Sequence, residues 1–446
     1  MAGKKLKNRI TLFLDTEDNS KGKFLCGVCY NSVEKKYFSF KSRDKMSAYV
    51  LSHKRADVYG HNIQYDINNL FNSDLLEYKY TGSRFIQATY NNNGKYIRFF
   101  DTLNLLPLSI KEIGKLLGLQ KKKMLKKNLI GYCKRDVEIL YLFVEKMRNI
   151  YKELGIELAT TISQNAMRYF KRFVKFRNFS VKEKYNAMAR EAYYGGRCEI
   201  YRYGIIKKRV YENDINSHYP AVMRDIILPD WRYLKYRKNK CNFTHEGIAR
   251  VRIQSKLDIP VLPFRTKDGI KFFNGTFIGT YTLNELRYAR RMGAKVKQIF
   301  YSITTNRRIK GLFTRFVNSL YEKRKEAKNE YEKYLYKILM NSLYGKFGFE
   351  GKVEKFQKLR DLKKNKGIII ISKDGKPYTL SKKIIHTRYQ NCFIAAYITA
   401  EGRIRLHKLL HKYRDVVLYC DTDSIITKKK IVPKCNELGE LSLKGV

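Results

Sequence analysis

Short apolar segments alternate with helical patterns through the first third of the chain. Three of these segments are RITLFLDTE, ADVYGHN and YIRFFDTLNLL, and each has the length and composition of a β-strand. Helical segments between such strands indicate helices that cover a mixed sheet, so an α/β or α+β fold is predicted. A β-rich stretch follows from about Gly247 to Ile303, and two adjoining helices follow from Gly311 to Gly345. Since 446 residues exceed what one core usually organises, several domains are expected.

Positive charge is the second constraint on function. The chain has 92 Lys and Arg against 41 Asp and Glu, which leaves a net charge of +51 spread along its length. Extended polyanions are the natural partners of such a surface. No run approaches the roughly 20 apolar residues of a spanning helix, and the N-terminus turns acidic where a signal peptide would be apolar. We therefore expect a cytoplasmic nucleic-acid-binding protein with no membrane contact.

Cysteine usage argues against a structural metal site. Of the eight cysteines, only Cys26 and Cys29 form a CxxC pair. A structural zinc site usually needs a second pair of cysteines or histidines at comparable spacing, which the sequence lacks. Both residues are expected to be strand residues, in a reducing compartment.

The segment VVLYCDTDSIITKK sets two carboxylates, Asp421 and Asp423, one residue apart. An apolar run precedes them and another follows, with turn-forming residues between, so a β-hairpin is predicted. Asp, Thr and Ser also occur in ordinary turns, because their side chains bond their own backbone. However, apolar flanks would hold both carboxylates near a sheet surface, where their repulsion favours a bound cation.

Two further segments add polar groups to this picture. Asp214 follows a strand pattern in YENDINSHYP, where a simple strand-end cap is the alternative reading. In KILMNSLYG, a helix would place Lys337, Asn341, Tyr344 and Gly345 on one stripe. Lys337 alone could equally be a solvated surface charge, but Gly345 would let another group approach the backbone closely.

A separate set of acids lies in the N-terminal third. Asp15 and Glu17 are two apart on the strand ITLFLDTED, so they share one face of the sheet. Asp66 ends HNIQYD, and Tyr132 and Asp136 are spaced i and i+4 in GYCKRDVEIL, which reads as a helix. Scattered acids are common, and spacing alone does not make this set a site.

Taken in order, these segments resemble the family B DNA polymerases. DINSHYP is similar to their motif A, KILMNSLYG to motif B, YCDTDS to motif C, and YYGGR to the YxGG linker between exonuclease and polymerase domains. The N-terminal acids resemble the three exonuclease motifs of proofreading members, DxE, Nx2-3(F/Y)D and YxxxD. One departure is His218, where the family usually has Leu; it adjoins the site without being a ligand.

The resemblance implies a DNA-directed DNA polymerase that adds deoxynucleotides to a primer 3′ hydroxyl with two divalent ions, Mg²⁺ or Mn²⁺. Asp214 and Asp423 would bridge the ions, with Asp421 as the third acid. Template, primer and deoxynucleoside triphosphates would be its partners. The residues expected to contact the incoming nucleotide are Lys337 and Arg324 at the triphosphate, Tyr219 at the sugar, and Asn341 and Tyr344 at the base pair. The linker residues expected to contact DNA are Tyr193, Gly195 and Gly196.

The same resemblance implies 3′–5′ proofreading. Four carboxylates would hold two metal ions, namely Asp15, Glu17, Asp66 and Asp136. Tyr132 would orient the attacking water. Asn62 and Tyr65 would bind the single-stranded primer end, with the ring as a stacking surface.

The compact size is most similar to the protein-primed branch of phages, other viruses and linear plasmids, which implies a terminal protein as primer and a bacterial host cytoplasm or an infected cell. The stretch 250–301 and the segment ISKDGKPYTLSKK are candidates for the branch's two insertions. The implied fold is an RNase H-like exonuclease domain followed by a right-hand polymerase of palm and fingers with a truncated thumb. The expected domains are exonuclease over 1–170, YxGG linker over 171–204, palm with an insertion over 205–310, fingers over 311–350, and palm with most of the thumb missing over 351–446.

Other functions remain open at this stage. The absence of a KxY-containing thumb after Asp423 would fit a chain that acts mainly as a 3′–5′ exonuclease. An inactive nucleic-acid-binding remnant is a further alternative, although all seven expected carboxylates are present. A reverse transcriptase would share the acidic hairpin, but the exonuclease-like set and KILMNSLYG argue against it.

Overall fold

A computed structural model describes residues 9–71, 75–81, 84–120, 128–175, 178–349, 351–358, 368–371, 377–385 and 389–446. The strands are β1 (Ile10–Asp18), β2 (Phe24–Asn31), β3 (Lys36–Phe40), β4 (Arg55–Gly60), β5 (Glu77–Thr81), β6 (Arg84–Asn92), β7 (Lys95–Asp101), β8 (Cys198–Ile200), β9 (Tyr211–Ile215), β10 (Ile227–Pro229), β11 (Lys235–Lys238), β12 (Glu246–Ser255), β13 (Pro263–Thr266), β14 (Gly269–Phe272), β15 (Gly275–Thr282), β16 (Lys295–Thr305), β17 (Arg308–Lys310), β18 (Gly351–Lys358), β19 (Ile368–Ile371), β20 (Pro377–Ile385), β21 (Val417–Asp421), β22 (Ser424–Thr427) and β23 (Leu441–Gly445). The helices are α1 (Arg43–Ser52), α2 (Gln64–Leu70), α3 (Ile110–Leu116), α4 (Leu129–Glu153), α5 (Ile162–Phe170), α6 (Glu183–Glu191), α7 (His218–Asp225), α8 (Leu283–Arg291), α9 (Thr314–Lys325), α10 (Glu330–Asn341), α11 (Gly345–Gly348) and α12 (Cys392–Lys412).

The chain forms two compact units. The first comprises Met1–Asn165, Asn329–Tyr331 and Glu350–His386, and the second comprises Ala166–Lys328, Glu332–Phe349 and Thr387–Val446. The first division falls between Asn165 and Ala166, and the linker predicted over 171–204 lies inside the second unit. The expected palm segment 351–446 is also divided, because β18 pairs antiparallel with β5 and thereby extends the sheet of the first unit.

A large mixed sheet organises the first unit. Its strand order, within the described residues, is β19-β20-β18-β5-β6-β7-β4-β1-β2-β3. Strand β1 runs parallel to β4, which in turn runs parallel to β7, and the pairings on either side of these three strands are antiparallel. The predicted mixed sheet is thus present, with short hairpin connections toward both edges.

Helices cover both faces of this sheet because the side chains of β1 alternate. Leu12 and Leu14 are buried in a cluster with Ile67 of α2. Phe13 points the other way and packs edge-on against Tyr141 of α4, with 5.5 Å between ring centroids. Each fully buried large apolar side chain of this kind contributes roughly 1.5–3 kcal/mol. The C-terminal end of β1, which carries the acids, is therefore held rigidly between layers.

Two sheets form most of the second unit. A five-stranded sheet has the order β23-β9-β22-β21-β8, and a four-stranded sheet has the order β11-β16-β12-β15. The stretch 250–301, our candidate first insertion, builds most of the four-stranded sheet and α8. The candidate second insertion, ISKDGKPYTLSKK, includes residues 372–376, which lie outside the described residues.

Helix α12 is the buried core element of the second unit. It begins at Cys392 and is capped by Asn391, whose side chain accepts hydrogen bonds from the amides of Phe393 and Ile394. Inside the unit, Arg403 of α12 forms a two-point ion pair with Glu285 of α8, at 2.8 and 2.9 Å. The same guanidinium donates to the carbonyls of Tyr194 and Gly195, so α12 also fixes the YYGG segment.

Several local elements predicted from the sequence are confirmed. The two adjoining helices near 311–345 are α9 and α10, and Cys26 and Cys29 are strand residues on β2. All eight cysteines, which lie in the described part of the chain, are free thiols. Among the described helices, none has the length and apolar composition needed to cross a bilayer.

Candidate active sites

The predicted acidic hairpin is confirmed in the second unit. Strands β21 and β22 pair antiparallel, with Asp421 opposite Ser424, and the turn consists of Thr422 and Asp423. On the other side of β22, Ser424 is paired with Asp214 of β9, and the Ile215 amide donates to the Asp423 carbonyl at 2.7 Å. Asp214 and Asp423 are therefore neighbours at one edge of the sheet, although 209 positions separate them in the sequence.

Electrostatics show how closely these acids are crowded. Burial raises the pKa of Asp423 to about 6, and the charges of Asp214 and Asp421 act in the same direction. Burial also raises the pKa of Asp214, against the opposing charges of Lys444 and Lys337. A bound cation relieves this repulsion between neighbouring carboxylates.

The linker segment supports the hairpin from the opposite side. Strand β8 pairs with β21, so that Cys198 lies opposite Asp421, and the Thr422 amide donates to the Arg197 carbonyl at 2.7 Å. Thr422 has a left-handed backbone, with φ of 55°. A Cβ atom on Gly196 would come 2.5 Å from Thr422 Oγ1, so only glycine fits there. Gly196 thus influences the positions of Asp421 and Asp423 through its contact with Thr422, which lies between them.

An aromatic surface lies beside the acids. The rings of Tyr219, on α7, and Tyr344 lie 4.7 Å apart between centroids. His218 is 1% exposed and its ring is parallel to that of Tyr219, with 5.5 Å between centroids. Burial lowers the pKa of His218 to about 4, so the ring is neutral near pH 7. Tyr193 lies near both rings, since its charge acts on the pKa of Tyr219 and of Tyr344. It also lies against Gly348, where an added Cβ would come 2.5 Å from its Cε1 atom.

The predicted stripe on the motif-B-like helix needs a correction. Helix α10 ends at Asn341, so Tyr344 lies past its end and Gly345 begins the short α11. The Ser342 hydroxyl and the Ser342 amide both donate to the Ile338 carbonyl, at 2.7 and 3.0 Å. The Asn341 side chain donates to the Lys337 carbonyl at 3.1 Å and thus bonds its own helix.

Both predicted cations, Lys337 and Arg324, lie near the acids of the second unit. Lys337 acts on the pKa of both Asp214 and Asp423. Arg324 of α9 donates to the Ser217 hydroxyl at 3.0 Å, and burial lowers its pKa. Ser217 itself has a left-handed backbone, with φ of 48°, directly after the Asp214 strand.

The second set of acids comes together in the first unit. Asp15 on β1 feels the charges of Asp66, Asp136 and Glu17, and its pKa is raised well above the usual value, chiefly by burial. Asp66, on α2, accepts hydrogen bonds from the Thr16 amide and hydroxyl at 2.8 and 2.7 Å. Burial nevertheless raises the pKa of Asp66 to about 7. All four predicted carboxylates therefore gather at the C-terminal end of β1.

The other predicted residues of this set surround the acids. Tyr132 precedes Asp136 by one turn on α4, as expected. Tyr65 is 49% exposed, so its ring is available to a ligand. Asn62 has a left-handed backbone, with φ of 57°, and its amide donates to Asp101 Oδ1 at 3.0 Å. Asp101 was missed from the sequence, although its place at the end of an apolar strand was a visible signal.

Both acidic sets have the chemistry of divalent-ion sites. Across the described ranges, no three His, Cys, Asp or Glu side chains already have the geometry of a metal site. The carboxylate oxygens are nevertheless the donors that Mg²⁺ prefers, and Asp15 Oδ2 is buried without a hydrogen-bond partner. The residues fit a divalent ion by charge and donor type.

Comparison with known proteins decides the family. Residues 119–434 match the family described as DNA polymerase type B, organellar and viral, which is well over half of the chain. The chain belongs to this family. The family B resemblance seen in the ordered motifs is thereby confirmed.

Several relatives of this type B chain are fungal and phage proteins. A probable DNA polymerase of Neurospora intermedia is 28% identical over 359 residues, which is 72% of this chain and 36% of that protein. The DNA-directed DNA polymerase of Enterobacteria phage PRD1 is 27% identical over 342 residues, which is 72% of this chain and 57% of that protein. The chain spans about a third of the Neurospora relative's length.

The fold of this type B chain is that of a solved polymerase. Phi29 DNA polymerase superposes with a TM-score of 0.79 over 98% of this chain and 84% of that one, at 18% sequence identity. A second solved structure, phi29 DNA polymerase complexed with single-stranded DNA, gives a TM-score of 0.77 with the same coverage and identity. At this identity the likeness establishes the multidomain fold.

Three residues that contribute to the acidic site of the second unit were not identified from the sequence. They are Ser217, which accepts from Arg324; Arg403, which holds the YYGG carbonyls; and Lys444, which lies near Asp214. Arg403 pairs with a residue 118 positions away, and no local pattern marks such a pair. Lys444 lies in a segment with an ordinary strand pattern, outside every motif identified from the sequence.

Proposed function

We propose that the chain is a DNA-directed DNA polymerase that adds deoxynucleotides to a primer 3′ hydroxyl, and that its first unit removes nucleotides from 3′ ends. The observation that carries this proposal is the pairing of β9 with β22, which brings Asp214 beside Asp423. Family membership and the gathered cations around these acids support the same function.

At the polymerase site, Asp214, Asp421 and Asp423 would hold two Mg²⁺ or Mn²⁺ ions. Such ions stabilise the attacking and leaving oxygens of an in-line displacement at phosphorus. Above about pH 6, Asp423 is largely ionised and ready to serve as a ligand. Lys337 and Arg324 bind the triphosphate by charge, which orients the α-phosphate toward the primer.

The aromatic surface selects the nucleotide. Tyr219 supports the sugar and leaves no room for a 2′ hydroxyl, while Tyr344, 4.7 Å away, lines the base-pair pocket. Tyr193, Gly195 and Gly196 contact the DNA near the hairpin turn. Asn341 would join the pocket by releasing its bond to the Lys337 carbonyl.

In the first unit, the four gathered carboxylates would hold two ions of the same kind, and Tyr132 would orient the water that attacks the terminal phosphodiester. Exposed Tyr65 stacks on a base of the single-stranded 3′ end, and Asn62 contacts the same strand. Its amide bond to Asp101 fixes the Asn62 backbone for this contact.

One substrate separates the two activities. A 5′-labelled primer on a template is incubated with Mg²⁺, with and without deoxynucleoside triphosphates. We expect Asp423→Asn to lose primer lengthening and to keep shortening, and Asp15→Asn to do the reverse. The control is Asp415→Asn, an exposed position outside both acidic sets. Lengthening that survives Asp423→Asn overturns the polymerase assignment, and shortening that survives Asp15→Asn overturns the exonuclease assignment.

We also propose that synthesis starts on a terminal protein, as the organellar and viral family assignment favours. In this reaction a protein hydroxyl takes the place of the primer 3′ hydroxyl. The test is transfer of a labelled deoxynucleotide to a protein encoded beside this chain, with Asp423→Asn as the negative control. A partner that never becomes labelled, under conditions where a DNA primer is extended, contradicts protein priming.

A further inference from the structure

The last described strand carries an irregularity next to the polymerase site. Strand β23 pairs antiparallel with β9, and Ser442 lies opposite Asp214. The register shifts between Leu443 and Gly445, so Lys444 is the extra residue of a β-bulge. Bulges redirect side chains and are frequent beside active sites. Here the bulge turns an exposed lysine toward the Asp214 strand.

The ammonium of Lys444 is held at a defined point. Its Nζ atom donates to Asn216 Oδ1 at 2.6 Å. Asn216 is itself fixed, since its Nδ2 donates to the Cys435 carbonyl at 2.8 Å and its backbone amide to the Glu440 carbonyl at 3.0 Å. An ammonium has three N–H donors, and Asn216 takes one of them.

Cations from three elements surround the Asp214 segment. Arg324 of α9 donates to the Ser217 hydroxyl, Lys337 of α10 acts on Asp214, and Lys444 of β23 bonds Asn216. The charges of Lys444 and Lys337 both oppose the rise in the pKa of Asp214 that burial causes. Under the proposed function the metal ions neutralise Asp214, Asp421 and Asp423, so the three cations remain for a ligand with several anionic oxygens.

We propose that Lys444 binds the β- and γ-phosphates of the incoming deoxynucleoside triphosphate, as a third cation beside Lys337 and Arg324. This assignment rests on the proposed polymerase function. Those phosphates leave together as pyrophosphate, so the same ammonium also binds the product. Asn216 positions the ammonium, and the bulge is the backbone feature that brings it there.

The test compares Lys444→Gln with Lys444→Arg and with the control Lys430→Gln, which removes an exposed lysine from the same C-terminal segment. For Lys444→Gln we expect KM for the deoxynucleoside triphosphate to rise roughly tenfold or more, as loss of a charged hydrogen bond implies, with kcat changed by less than about twofold. Lys444→Arg should stay close to wild type, because it keeps a cation. Lys430→Gln should match wild type in both constants.

Binding of inorganic pyrophosphate, followed by calorimetry, provides a readout apart from turnover. We expect Lys444→Gln to weaken this binding by a factor similar to its rise in KM, with an unchanged unfolding temperature. Equal pyrophosphate affinity in Lys444→Gln and wild type overturns the assignment, and so does a fall in kcat with KM unchanged. If wild type binds pyrophosphate through Lys444 but extends no primer, the proposed polymerase function fails and the phosphate site stands.

Discussion

Gly196 of the linker lies against Thr422 of the acidic hairpin, so closely that a Cβ atom on Gly196 would come 2.5 Å from Thr422 Oγ1. Since Thr422 stands between Asp421 and Asp423, any displacement of its backbone moves both carboxylates. The linker therefore sets the geometry of the proposed polymerase site directly.

Replacement of this glycine should damage synthesis selectively. In Gly196→Ala, the added methyl group pushes the Thr422 turn away from β8, so we expect at least a tenfold loss of kcat for nucleotide addition. Shortening of a single-stranded 3′ end should continue at the wild-type rate. The control is Asp415→Asn, at an exposed position outside both acidic sets. Equal polymerase rates in Gly196→Ala and wild type would show that the contact is unimportant.

Crowding of the acids at the C-terminal end of β1 should appear as a stability effect. Asp15 is surrounded by like charges, so Asp15→Asn should raise the unfolding free energy of the metal-free protein at pH 8 by roughly 1–2 kcal/mol. Asp57 on the same sheet is the opposite case, because it pairs with Arg9 at 2.9 Å and Arg98 at 2.6 Å. Asp57→Asn should therefore lower stability by about 1–3 kcal/mol. Urea unfolding measures both changes, and a destabilising Asp15→Asn would contradict the crowding.

The buried ion pair between Arg403 and Glu285 should be costly to break on one side. Their side chains are 2% and 0% exposed, so Arg403→Met leaves an unpaired buried carboxylate and should cost about 3–5 kcal/mol. The double variant Arg403→Met with Glu285→Leu should recover part of this loss, because no charge then remains buried. Recovery will be incomplete, since the carbonyls of Tyr194 and Gly195 lose their donor. Additive losses in a double-mutant cycle would argue against the pair.

Buried His218 should make stability depend on pH. Its pKa in the folded protein is lowered to about 4 by burial and by the charge of Arg405, while an unfolded histidine titrates near 6.5. Between these values the unfolded state binds more protons, so stability falls as pH drops through this window and is constant with respect to this group above it. Asp423, with its raised pKa, acts in the opposite direction.

The variant His218→Leu isolates this contribution. It should flatten the fall in unfolding free energy between pH 6.5 and 4 by up to about 1.4 kcal/mol per pH unit. His407, whose pKa is also lowered to about 4, should keep part of the slope in both proteins. Identical slopes for wild type and His218→Leu would show that His218 binds its proton as readily in the folded state as in the unfolded state.

Sequence predicted the local elements of this molecule well, and long-range pairings poorly. The β21–β22 hairpin was predictable because apolar runs flank turn-forming residues, and the order of the motifs identified the family. The end of α10 at Asn341 was missed because the predicted stripe continues to Gly345 with no break in the local pattern. Pairing of β18 with β5 joins segments about 270 positions apart in the sequence, and its register depends on tertiary packing. Lys444 reaches the site only through a bulge, which leaves no mark in the sequence.

Extension of a labelled primer is the most direct test of the central claim, that Asp214 and Asp423 form the site of nucleotide addition. Purified wild-type chain with primer, template, four deoxynucleoside triphosphates and Mg²⁺ should give products longer than the primer. Asp214→Asn should reduce the rate of addition by a factor of a thousand or more and still shorten the primer. Absence of longer products with wild type, or equal extension by Asp214→Asn, would contradict the account.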